Sequence, residues 1–192
     1  MSTEAILIEQ LKRGDESAFK SIVDQWKDMV YNTALGIVQN ETEAEDLTQD
    51  VFIKVYEKIS SFKGDSKLST WIYRITVTTA LDFLRKKKRK KRWGGLQSVF
   101  GDSDGEQMII PDFHHPGISL DNKERSAILF GAIGKLPENQ KAAYVLNKIE
   151  GLSYKEVSEV MNTSVSAVES LMSRATGNLK KLLEDYYEKH YK

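Results

Sequence analysis

The chain has 192 residues, with 28 Lys+Arg against 28 Asp+Glu, 40% hydrophobic residues and no cysteine. That length suits one ordinary domain or two small ones. The apolar content argues against wholesale disorder, and the missing thiols exclude disulfide scaffolds, cysteine nucleophiles and cysteine-ligated zinc. Residues 1–16 show no basic segment followed by an apolar core, and no run of about 18 apolar residues occurs anywhere, so neither a signal peptide nor insertion into a membrane is expected. A cytoplasmic location follows as the expectation.

The zero balance hides a segregation of charge. Residues 1–93 carry 17 basic and 14 acidic residues, residues 94–121 carry five acidic and no basic ones, and residues 122–192 carry 11 basic and nine acidic. Arg85 to Arg92 is an unbroken run of eight basic residues. Such asymmetry points to a polyanionic partner for the ends and a different role for the middle.

Taken in order, the first predicted helix opens at Ser17-Ala18-Phe19 and places Phe19, Ile22, Val23, Trp26, Val30, Ala34, Ile37 and Val38 on one face. Asn40 or Thr42 caps the next, with Glu43, Glu45 and Asp46 near its positive end and Ala44, Leu47, Val51, Val55, Tyr56 and Ile59 in a stripe. Gly64-Asp65-Ser66 breaks the pattern. A third helix is expected from about Thr70 to Lys88, with Trp71, Ile72, Ile75, Thr79 and Leu84 near one face and the basic run at its C-terminal end, where cations complement the helix dipole. Between Gly94 and Gly117 lie five of the twelve glycines and two of the three prolines, without a helical or strand period. This reads as a flexible acidic linker. Beyond it, Asp121-x-x-Glu124 is a capping-box pattern, Pro137 suits a helix start and Gly151 a helix end. Ser153-x-x-Glu156 is a second capping box. Ser164 or Ser166 caps a last helix with Val168, Leu171, Met172, Ala175, Leu179, Leu182 and Leu183 inward. The fold class is all-α: an N-terminal helical bundle (1–93), the linker (94–121) and a C-terminal helical domain (122–192).

Catalytic constellations are scarce. His114 and His115 form a pair without a metal-binding carboxylate pattern, Gly94-Gly95 lacks the residues of a phosphate loop, and the acidic run at 41–50 fits a solvated helix end. No active site, metal or cofactor is expected. A capped short helix (Ser153–Met161), a turn (Asn162–Ser164) and a second helix instead describe a helix-turn-helix. Ser166, Ala167, Glu169, Ser170, Ser173 and Arg174 would face away from its core stripe. Small outward residues let a helix approach the major groove, while Arg174 could take a guanine edge or a phosphate. Arg85, Lys86, Lys87, Lys88 and Arg89 offer a phosphate-tracking surface whose contribution would be salt-sensitive.

Two sets of motifs resemble a known family. The stretch Ala44 to Tyr56 (AEDLTQDVFIKVY), then Phe62 to Ser66 (FKGDS) and Thr70 to Ile75 (TWIYRI), is similar to the first conserved domain of the extracytoplasmic-function (ECF) sigma factors. Leu136-Pro137-Glu138, Glu150 to Val157 (EGLSYKEV), Ser164 to Ser170 (SVSAVES) and Ser173-Arg174-Ala175 are similar to their second. The order and the intervening linker match, and the resemblance covers nearly the whole chain.

The resemblance implies a transcription initiation factor that binds bacterial core RNA polymerase, through its β′ and β subunits, and brings it to promoter DNA. Asp46, Gln49, Asp50, Phe52 and Lys54 would dock on the β′ coiled coil. Lys63, Asp65, Ser66, Lys67, Arg74 and Thr78 would read and open the −10 element, with Trp71 and Tyr73 as candidate stacking platforms; Trp71 also fits the core stripe. Ser166, Ala167, Glu169, Ser170, Ser173 and Arg174 would read the −35 element. Thr78 stands where relatives often carry Asn, and Glu169 where an Arg is frequent, so DNA preferences do not transfer. The linker would thread the polymerase channels, with Asp102, Asp104, Glu106 and Asp112 imitating RNA. An anti-sigma factor, often membrane-anchored in the family, is an expected partner. The alternative is a stand-alone helix-turn-helix repressor or activator, disfavoured by the docking motif and by the lack of a dimerisation seam.

Overall fold

A computed structural model describes residues 3–94 and 123–190. The described residues form helices joined by short turns, with no strand among them. The N-terminal block comprises α1 (Thr3–Lys12), α2 (Glu16–Val38), α3 (Glu41–Lys58), a single 3-10 turn (Ile59–Ser61) and α4 (Leu68–Gly94). The C-terminal block comprises α5 (Lys123–Gly134), α6 (Glu138–Tyr144) with a π-helical continuation over Val145–Ile149, α7 (Tyr154–Met161) and α8 (Val165–His190). The linker, the acidic residues proposed for it, His114, His115 and the capping box at Asp121 lie outside the described residues.

The sequence signals explain most boundaries. Asp15 caps α2 by accepting from the Ser17 and Ala18 amides, and the Ser17 hydroxyl together with those amides holds its carboxyl below the ordinary range. Asn40, not Thr42, caps α3 through the Glu43 amide. Pro137 stands one residue before α6, and Ser153 and Glu156 bond reciprocally across the first turn of α7. Helix α1 was not expected from the sequence. It buries Leu11 against the bundle, and its Glu4 Oε1 accepts from the Leu68 amide at 3.0 Å, so it caps α4 from a distance.

One stripe assignment is corrected. In α3, Phe52 is buried at 6% exposure and Tyr56, expected inside, is 47% exposed. At about 100° per residue, Tyr56 falls roughly 135° from the centre of the Ala44–Leu47–Val51–Val55 stripe and Phe52 about 95° from it. The Tyr56 ring instead rests edge-on against Phe19, 5.2 Å between centroids.

The larger surprise is how the two blocks meet. One cluster, built on Ile22, Trp26, Val30, Val51, Val55, Leu68 and Ile72, belongs to the N-terminal block alone. The other runs across both: Leu35, Ile37, Tyr73, Val77, Ala80 and Leu81 pack in one continuous core with Phe130, Ile133, Leu146, Val157 and Val160. Five consecutive residues of α2, Thr33 to Ile37, are buried. An amphipathic helix at 3.6 residues per turn buries five in a row only when covered on opposite sides. Here α3 and α4 cover one side and the C-terminal block the other.

Candidate nucleic-acid interface

The helix-turn-helix is closed by backbone chemistry. Asn162 ends α7 in the left-handed region (φ 50°), and the Thr163 amide returns to the Ser158 carbonyl at 3.0 Å. Ser164, not Ser166, caps α8 by accepting from the Ala167 amide at 3.2 Å. Val168, Met172, Ala175 and Leu179 turn inward, while Ser166, Glu169, Ser170, Ser173 and Arg174 are exposed on the opposite side and Ala167 is half-buried. The Ser170 hydroxyl donates to the Ser166 carbonyl at 3.0 Å, leaving its oxygen lone pairs outward. All six residues expected to read DNA here thus lie on the first three turns of one helix. Five of them are exposed.

On α3 the five expected docking residues divide. Asp46, Gln49 and Asp50 form an exposed acidic–amide edge, Phe52 lies in the core, and Lys54 is half-buried with Nζ donating to the Thr79 hydroxyl at 2.9 Å. Two residues outside the expected set are exposed on the same helix: Ile53, at 56% exposure, and Tyr56. An isoleucine that breaks the stripe three residues beyond Asp50, about one helical turn on, is the available signal.

The segment before α4 is set by Gly64, whose φ of 82° suits a residue without Cβ. Lys63, Asp65 and Lys67 are exposed, Ser66 is half-buried and Thr78 is exposed. Neither aromatic candidate is a free platform. Trp71 is half-buried, 5.3 Å from the Phe62 ring, and Tyr73 lies under the C-terminal block with its hydroxyl donating to Glu150 Oε2 at 3.2 Å. Arg74 Nη2 donates to the Glu159 carbonyl of α7 at 2.6 Å, while its buried Nε has no partner. Asp65, Ser66 and Arg74 share one polar cleft of about 730 Å³ with Ser158, Glu159 and the turn Asn162–Ser164.

The basic run is partly neutralised from within. Arg85 Nε lies 2.9 Å from Glu138 Oε2 and its Nη1 3.1 Å from Asp82, and Lys88 lies 3.4 Å from Glu138 Oε1. Lys87 pairs with Glu43, while Lys86 and Arg89 are exposed and line the adjoining cleft. Two titrations are displaced in this region. Burial pushes the Glu150 carboxyl up to about 7, against the opposing hydrogen bond from the Tyr73 hydroxyl. Burial also lowers the Lys141 ammonium to about 8, helped by the like charge of Lys88 and opposed by Glu138. Among the described residues no group of three or more His, Asp or Glu side chains is arranged to hold a metal ion.

Residues 22–90 match the model for sigma-70 region 2, and residues 126–179 match that for sigma-70 region 4. The chain is 35% identical over 181 residues to the ECF RNA polymerase sigma factor SigW of Bacillus subtilis, covering 93% of this chain and 95% of that protein. It belongs to the ECF RNA polymerase sigma factors. The ECF sigma-E factor of Escherichia coli strain K12 is 30% identical over 173 residues, 90% of each chain. In fold, this sigma factor is similar to CnrH, solved with the cytosolic domain of CnrY (TM-score 0.65, 24% identity, 96% of this chain and 99% of that one). It is also similar to RpoE of Bartonella quintana, solved with the anti-sigma factor NepR (TM-score 0.62, 24% identity, 86% and 96%). Its two matched regions fall on the N-terminal bundle and the helix-turn-helix respectively. No helix among the described residues is long and apolar enough to cross a membrane.

Proposed function

We propose that this sigma factor docks on the β′ subunit of core polymerase through Asp46, Gln49, Asp50, Ile53 and Tyr56, reads the −10 element with the Lys63–Lys67 segment, Arg74 and Thr78, and reads the −35 element with Ser166 to Arg174. The observation that carries this assignment is the presence on one chain of two differently built surfaces. An acidic–amide edge with an apolar flank suits a basic protein helix. A helix face of small polar residues ending in an arginine suits a major groove. Phe52 and Lys54 then act through α3, the first by packing it and the second by tying it to α4. Lys86 and Arg89 follow the phosphate backbone with Arg85, Lys87 and Lys88. The chain carries out no catalytic step of its own. It works in the cytoplasm, where polymerase and promoter DNA are found.

A stand-alone helix-turn-helix regulator would need a second copy to read paired half-sites. The undivided run of region 2 followed by region 4 supports the sigma assignment instead. By likeness to the CnrY- and NepR-bound neighbours, an anti-sigma factor is the proposed regulator. Multi-round transcription with bacterial core polymerase and a genomic fragment library, with sequencing of RNA 5′ ends, tests the assignment. Transcripts preceded by two shared elements at fixed spacing are expected. Absence of initiation, together with binding to a palindrome, would support the regulator.

A further inference from the structure

Ser166, Ser170, Ser173 and Gly177 recur at helical spacing along the outer face of α8, and all four are exposed. A Cβ at Gly177 would meet nothing within 4 Å among the described residues, so no packing inside the chain accounts for this glycine. A face this bare lets the helix backbone come close to a neighbour.

Glu169 stands out from that face. Its side chain is longer than those of Val165, Ser166 and Ser170, the other exposed residues of the first two turns. Other acids of the C-terminal block are engaged within the chain. Glu138 pairs with Arg85, Glu150 accepts from Tyr73, Glu156 closes a capping box and Glu184 lies 3.7 Å from Lys180. Glu169 has no ion pair and no side-chain hydrogen bond among the described residues. It is the fifth residue of α8, beyond the first turn in which the helix dipole favours a carboxylate. Its neighbour Ser170 donates its hydroxyl proton to the Ser166 carbonyl at 3.0 Å. Both residues therefore present acceptors outward.

That polarity selects a base. Phosphates repel a carboxylate entering the major groove, so it is tolerated only where a donor on a base edge meets it. Two such donors exist, the N4 amine of cytosine and the N6 amine of adenine. Adenine sets its N7 acceptor beside the amine, and a carboxylate, which only accepts, is repelled by that lone pair. Guanine offers O6 and N7, and thymine offers O4 and a methyl group, so neither supplies a donor. Cytosine is left.

We infer that Glu169 is a specificity-determining residue of α8: its carboxylate accepts from the N4 amine of one cytosine in the −35 element and rejects the other three bases at that position. The inference rests on the assignment of Ser166 to Arg174 to the −35 element. It separates discrimination from overall affinity. Removing the carboxylate also removes a charge that phosphates repel, so binding to a mismatched element should strengthen while the matched one weakens.

The test uses holoenzyme reconstituted from bacterial core polymerase and the full chain, on a promoter that the wild-type chain selects from a genomic library. Each position of the upstream element is randomised, and RNA yield per template is read by sequencing. The wild type should show one position at which cytosine is favoured about fivefold or more over every other base. Glu169→Ala should flatten that position alone to within about twofold, and yield from the guanine template should rise. Glu169→Gln should move the preference to adenine, because an amide pairs with N6 and N7 together. A merely damaged fold would lower yield on every template and raise none.

A wild-type element that requires no cytosine would overturn the inference, as would an unchanged profile in Glu169→Ala or a uniform loss across all templates. If the wild-type chain selects promoters with no shared upstream element, the −35 assignment fails instead.

Discussion

Glu150 offers a direct measure of how firmly the blocks are closed, because its carboxyl leaves water only where the π-helical end of α6 presses on Tyr73. A buried acid is favoured in its neutral form, and this one titrates at about 7 instead of 4.5. At about 1.4 kcal/mol per pH unit, that displacement amounts to roughly 3.5 kcal/mol as an upper figure. Below pH 4.5 the group is protonated whether the chain is folded or unfolded, and its contribution is complete. As pH rises past 4.5 the unfolded chain releases its proton first, so stability falls until about pH 7 and stays lower above it. The perturbation is Glu150→Gln, whose amide oxygen still accepts from the Tyr73 hydroxyl but carries no charge. Urea unfolding of the two chains from pH 4.5 to 8.5 is the assay. The other titrating groups are shared, so the difference between the curves isolates this carboxyl. The variant should match the wild type near pH 4.5 and exceed it by about 2–3 kcal/mol at pH 8. Parallel curves across that range would refute the argument from desolvation. A variant less stable at every pH would mean that the hydrogen bond to the ionised form outweighs burial.

Lys141 presents the opposite sign. Its ammonium is destabilised by burial, so stability should rise as pH increases from about 8 towards 10.5. Lys141→Met should stabilise the chain at pH 7 by on the order of 2 kcal/mol and flatten that rise, as followed by urea unfolding. Ile53→Glu on the exposed face of α3 should weaken binding to core polymerase tenfold or more in a competition assay while leaving the thermal midpoint within about 2 °C, since surface substitutions change stability little; unchanged binding would remove Ile53 from the docking surface. Replacing Asp102, Asp104, Glu106 and Asp112 by asparagine should weaken engagement of the linker with polymerase and alter the yield of abortive RNA. Unchanged initiation would refute a role for its charge.

The helices themselves were legible in the sequence because their causes are local. Asn40 and Ser153 cap helices with their own side chains, and Val30, Val51, Val168 and Leu179 follow the helical period. The helix-turn-helix was legible for the same reason: a capping box, a left-handed asparagine and a second cap lie within a dozen residues. Its outward set from Ser166 to Arg174 follows from helical geometry alone. Helix α1 is not legible in the sequence because it is short and is held by distant contacts of Glu4 and Leu11.

The sequence by itself determined the family, the helical composition and the order of the two binding regions, since each depends on residues close together in the chain. Only tertiary structure decided that Tyr73 is covered, that Arg74 and Arg85 are already engaged, and that Ile53 and Tyr56 stand outside. The buried run Thr33 to Ile37 reads in one dimension as an ordinary helix end. Its second covering arrives from residues about a hundred positions away, and a periodicity computed along one helix carries no information about which other helix will lie across it.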